Sequence, residues 1–156
     1  MSYELGPAFW APDAREGTQG TVSQGQTHPL FTIPTNMPVG NRTLSEVRFP
    51  ASKAHMWDRY QRDLGDRIPF FAHESARVPV LCVDGSVGLR SAAATNPGFN
   101  PADPTNPNPT TFMYRPGSTE PPTQNGEIEE QVVGRMRWTR WGLRGRDFNG
   151  PEVTAP

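Results

Sequence analysis

The stretch His73 to Arg90, HESARVPVLCVDGSVGLR, places a histidine ahead of a serine, a cysteine and an aspartate. A nucleophile, a base and an orienting carboxylate are the parts of an acyl-transfer site, and Ser75 or Cys82, His73 and Asp84 are residues of the right types. The local pattern favours another reading. Cys82 falls within an apolar alternation in which Val78, Val80 and Cys82 share one strand face and Pro79, Leu81 and Val83 the other, so the strand is expected to be buried on both faces. Asp84-Gly85 is a strong two-residue hairpin signal because both positions tolerate positive φ, and Val87-Gly88-Leu89 would return as the partner strand. His73, Asp84 and Gly85 are therefore expected to mark a core β-hairpin.

The remaining candidates for chemistry are weaker. His55 near Asp58 imitates a general-base pair but sits in a strand-like run. His28, before Pro29, reads as a surface residue. Asn and Asp residues in NPGFNPADPTNPNPTTF could offer oxygen ligands to calcium, yet they lack the spaced carboxylates and closing Glu of a known loop and suit turns before proline. There is no Gly-x-Ser-x-Gly, phosphate-binding glycine loop or zinc pattern. No catalytic residue, metal ligand or cofactor is expected.

The block EIEEQVVGRMRWTRWGLRGRDFNGPE interleaves Arg135, Arg137, Arg140, Arg144 and Arg146 with Trp138, Trp141 and Phe148. Arginine and exposed indoles are the ingredients of a single-stranded nucleic-acid platform. Guanidinium stacking on indole, with pairing to Glu127, Glu129 and Glu130, uses the same residues structurally. Fifteen Lys plus Arg against 16 Asp plus Glu leave a formal net charge of -1, which supplies no general attraction to nucleic acid or an acidic membrane. The structural use, with no nucleic-acid partner, is the expectation. Lys53 is the only lysine, and arginine suits fixed, planar hydrogen bonding better than general solvation.

The elements that must position these residues are short. A chain of 156 residues has the size of one domain, expected to span 1–156, and its 18 Pro and 15 Gly predict a loop-rich fold. Thr43 to Glu46 has the form of a capping box opening a helix that Pro50 soon ends. SKAHMWDRYQRDLGDR is ambiguous between an exposed helix and a strand followed by a polar turn; as a strand it would put Ala54, Met56 and Asp58 on one face and Lys53, His55 and Trp57 on the other. IPFF resumes the core after a polar turn, and Phe112 to Tyr114 offer one short strand within the Pro-rich 91–126 loop region. Val132, Met136 and Trp138 would share one strand face opposite Val133, Arg135 and Arg137. With a single cysteine, Cys82, no intrachain disulfide is possible. No run approaches the roughly 20 apolar residues of a membrane span, and the start is no secretory signal.

In their order, these segments resemble the prepilin-like, type II secretion pseudopilin-like proteins of planctomycetes and related bacteria. That family carries a His followed about nine residues later by Asp-Gly; here ten residues separate His73 from Asp84. LSEVRFPASKAHMWD is similar to the family's Pro-Ser-Lys stretch leading into a strand, and RWTRWGLRGRDFNG to the arginine-rich close of one branch. The resemblance covers roughly Leu44 to Gly150. It implies an α+β, mainly β fold: an antiparallel sheet with short helices and long Pro-rich loops, without the family's N-terminal hydrophobic helix. It also implies a non-enzymatic head domain whose partners are other pilin or pseudopilin subunits or envelope proteins. Membrane contact would come only through a helix outside this chain. The location is expected to be the periplasmic or extracellular-facing envelope if such a helix lies upstream, and the cytoplasm if the chain is complete. The contact surface is expected on the 91–126 loop and on Arg135, Arg137, Trp138, Arg140, Trp141 and Arg144. The alternative is a carbohydrate- or single-stranded nucleic-acid-binding module using exposed Trp and Arg.

Overall fold

The computed structural model describes residues 3–9, 42–61, 70–100, 106, 108, 110, 113 and 131–153. The expectations for His28 and for Glu127, Glu129 and Glu130 lie outside them, as do Phe112 and Tyr114 of the expected 112–114 strand and most of the Pro-rich region beyond residue 100. Four strands, β1 (Tyr3–Leu5), β2 (Ala54–Asp58), β3 (Arg77–Cys82) and β4 (Val87–Ser91), form one antiparallel sheet in the order β1-β2-β3-β4. The helical elements among the described residues are three-residue 3-10 turns, including Leu44–Glu46, Pro50–Ser52 and Gly142–Arg144. The mainly β expectation therefore holds, and none of these helices is long and apolar enough to cross a membrane.

The short turn at residues 44–46 follows its sequence. The Glu46 carboxylate accepts from the Thr43 N–H at 2.9 Å, and the chain is extended again at Val47, ahead of Pro50. The β3-β4 hairpin also forms, with Leu81 opposite Val87 and Pro79 opposite Leu89. Its loop differs from the two-residue expectation. Gly85 N–H donates to Cys82 O at 3.0 Å and Cys82 N–H to Ser86 O at 2.8 Å, with φ of 86° at Gly85 alone among the loop residues. This is a three-residue loop with a left-handed glycine. Asp84 stays at negative φ and its carboxylate accepts from the Ser86 N–H at 3.0 Å and hydroxyl at 2.6 Å, a local cap that suits this wider turn.

The sheet has one buried face. Trp57, Val78, Val80, Cys82 and Ala54 point into a core completed by Phe70, Phe71, Ala72, Val132, Met136, Trp138 and Phe148. Pro79 is exposed and Leu81 and Val83 are half-buried, so the expectation that β3 is buried on both faces is corrected. A bulge corrects the expected faces of β2. Ala54 pairs with Cys82 and Met56 with Leu81, so His55 is the extra residue and Ala54 turns inward with Trp57.

A C-terminal belt, residues 131–153, crosses the inner face. It is built of turns, which corrects the strand expected around Val132 to Trp138. Trp138 N–H donates to Gly134 O at 2.9 Å, and φ is positive at Met136 (62°) and Trp141 (64°). The buried positions of Val132, Met136 and Trp138 were expected, but a tight coil produces them. A Cβ at Gly134 would sit 2.0 Å from the Trp138 ring, so the indole can fold over this turn only because residue 134 lacks a side chain.

Candidate functional site

The hairpin separates the groups that could have made an acyl-transfer site. His73 precedes β3 and Asp84 follows it, so a six-residue strand, about 20 Å of extended chain, lies between them. Cys82 is buried within β3. His73 Nδ1 instead lies 2.7 Å from Ser75 Oγ and accepts from the Ser75 N–H at 3.2 Å, while His73 N–H donates to Phe70 O at 2.9 Å. His73 is buried and shapes the entry into β3. The exposed Asp84 carboxylate is held below its ordinary pKa chiefly by the Ser86 hydroxyl and then by the Ser86 N–H. His55, the other base candidate, places its ring 4.6 Å from that of Phe9.

The densest polar cluster lies where the belt meets the inner side of the sheet. Lys53 is fully buried. Its Nζ donates to Thr139 Oγ1 at 2.6 Å and pairs with Asp147 Oδ2 at 3.2 Å. Asp147 Oδ2 also accepts from the Ala54 N–H at 2.8 Å, and Oδ1 accepts from the Thr139 hydroxyl. The Asp147 backbone donates to Ser52 O at 2.8 Å and accepts from the Asn96 N–H at 2.6 Å. One aspartate thus ties the start of β2, the belt and the chain after β4. The buried ammonium is thereby matched by a carboxylate that several donors engage.

The arginines of the belt make similar cross-links. Arg137 is buried, forks onto both oxygens of Glu4 in β1, with Nη2 to Oε2 at 2.7 Å, and lies 5.2 Å and 5.0 Å from the ring centres of Phe70 and Phe71. Arg140, also buried, donates to the carbonyls of Asn106 and Asn108, the latter at 2.7 Å, and to Glu152 at 3.3 Å. Burial dominates at Glu152 and raises its pKa, although Arg140 and the Gly98 N–H pull the other way. Arg135 donates to Thr95 O at 2.6 Å, and burial lowers its pKa against the opposing charge of Glu74. Arg90 and Arg146 stack on Phe148 and Phe49, at 4.7 Å and 3.9 Å.

Of the expected contact surface, Arg137, Trp138 and Arg140 are buried, Arg135 and Trp141 are half-buried, and Arg144 is exposed. A shared Arg/Trp platform is therefore not laid out on the surface. The structural use of arginine is found: the described guanidinium stacks are on phenylalanine, and the described carboxylate partners of the belt include Glu4 and Glu152. Sequence reasoning missed Glu4, Asp147, Thr139 and Glu152. The available signal was a lone lysine followed directly by an apolar strand, since a buried cation requires a carboxylate. Among the described residues, no group of three or more His, Cys, Asp or Glu side chains is placed to hold a metal ion. No family model, curated protein or solved structure matches the chain.

Proposed function

We propose that this chain is a non-enzymatic interaction module of the cell envelope, the head domain of a type II secretion or type IV pilus-like (pseudo)pilin. The supporting observation is how the side chains are used. The lysine, arginine and carboxylate groups best able to do chemistry are engaged inside the fold, while Tyr3, Leu5, Val87 and Leu89, among the exposed large apolar residues described, stand on the sheet. Such a division suits a part that presents a surface more than one that turns over a substrate. The ordered motifs around Lys53, His73 to Gly85 and the arginine-rich belt support the same reading, and its partners are other subunits or envelope proteins.

Fractionation of the cells that make the protein, followed with an antibody against this chain, tests the reading. Recovery with the envelope and with sheared surface appendages is expected; recovery wholly in the cytosol would contradict it. Titration of Trp fluorescence with oligonucleotides and polysaccharides should give no change. A saturable response that involves Trp141 and Arg144 would favour the carbohydrate or single-stranded nucleic-acid module instead.

A further inference from the structure

The outer face of the sheet exposes several large apolar residues. Residues directly opposite in antiparallel strands share a face, so the register defines a row across all four strands: Leu5, Met56, Leu81 and Val87. Pro79 and Leu89 begin a second row, which Tyr3 ends on β1. At three strand spacings the first row is about 14 Å long. Val87 is 71% exposed, Tyr3 57%, Leu89 48% and Leu5 43%. Asp58, opposite Tyr3 in the second row, is buried and its Oδ1 accepts from the Tyr60 N–H at 3.3 Å, so its carboxylate is drawn into its own turn. The ends of the face are polar. Arg77, exposed, stands at one end of β3 and the exposed Asp84 turn at the other.

We propose that this face is the interface of a two-fold homodimer, with the outer sheets of two copies packed face to face and their strands antiparallel. The proposal deepens the interaction-module reading by naming its surface, and it rests on that reading only for its biological setting. Three features select a second copy as the occupant. Apart from the buried Asp58 and the charged ends, the face is apolar, and an apolar face is complementary to itself, as an isologous contact requires. The exposed apolar area is on the order of 500 Å² per copy, so two copies bury roughly 1,000 Å², the size at which a specific interface becomes stable. Antiparallel packing sets the Arg77 end of one copy against the Asp84 end of the other, pairing opposite charges at both rims, whereas parallel packing would set like against like. Edge-to-edge pairing through β4 would leave the rows uncovered. The arrangement has the anatomy of a specific interface, an apolar centre with a charged rim.

Sedimentation equilibrium of the full chain over a concentration series is the test. The wild type should fit a monomer-dimer equilibrium. Leu89→Lys, which places two charges within the apolar contact, should weaken dimerisation about a hundredfold. Arg77→Glu should weaken it about tenfold, with the difference fading in high salt. Leu44→Lys, at an exposed apolar residue off this face, should leave it unchanged. Far-UV and near-UV circular dichroism establish that each variant is folded. A wild type that stays monomeric at millimolar concentration, an open-ended oligomer, or a dimer indifferent to Leu89→Lys in a folded variant would overturn the proposal. Dimerisation and cell fractionation fail independently: a monomer recovered in the envelope sinks only the dimer, and a cytosolic dimer sinks only the envelope reading.

Discussion

The two faces of this sheet divide polar and apolar residues in an unusual way. The inner face is crossed by a belt that brings Lys53, Asp147, Arg137 and Glu4 into the interior beside Trp57, Phe70 and Phe71. The outer face exposes leucine, valine and tyrosine. Among the described residues the helical elements are short 3-10 turns, and the inner layer is irregular chain whose path must be fixed point by point. Charged hydrogen bonds do this well because they are directional, while apolar contact alone tolerates sliding. The outer face instead exposes large apolar residues, the rows proposed for contact with a second copy.

The comparison is broken most severely at Lys53. Lys53→Ala leaves the Asp147 carboxylate buried without its cation and should cost about 3–5 kcal/mol in urea unfolding. Asp147→Ala should cost a similar amount, and the double substitution clearly less than the sum, because both remove one cluster. Next comes Gly145→Ala. A Cβ there would lie 1.8 Å from the Arg140 carbonyl oxygen, so the belt must shift, at about 2 kcal/mol by the same measurement.

Smaller effects sharpen the contrast. Asp84 has a folded pKa below its ordinary 3.8, so the unfolded chain binds more protons between the two values. The stability it contributes is complete above pH 3.8 and is lost as pH falls through the folded value. The melting temperatures of wild type and Asp84→Ala should therefore differ at neutral pH and converge in acid. Glu152, raised by burial, contributes with the opposite sign: its share is present in acid and lost as pH rises through its folded value. The smallest effect is expected on the outer face. Leu89→Gln should change the stability of the dilute monomer by no more than about 0.5 kcal/mol.

What the sequence disclosed follows from the range of the interactions. The β3-β4 hairpin and the Thr43 to Glu46 turn were legible because their determinants lie within a few residues: Asp84 caps Ser86, and Glu46 reaches Thr43. The bulge at His55 was not, because it is set by pairing with a strand more than twenty positions later, and a one-residue slip moves Ala54 to the other face. The belt was misread for a related reason. Val132, Met136 and Trp138 have strand-like spacing, but Gly134 lets the chain coil so that the same residues reach the core. The arginines were recognised as structural, while their partners stayed hidden: Arg137 meets Glu4 across 133 positions and Lys53 meets Asp147 across 94. Outer-face exposure was concealed because an apolar strand reads alike whether or not its second face is covered.

Lys53 is the only lysine in the chain, which makes its burial directly measurable. An amine-reactive reagent, applied to the native and the urea-unfolded protein and followed by peptide mass spectrometry, reads the accessibility of one identified Nζ. The account predicts that Lys53 remains unmodified in the native protein and reacts promptly once unfolded. Labelling at equal rates in both states would mean that the ammonium is open to solvent, and the division between an interlocked inner face and a contact-making outer one would fail.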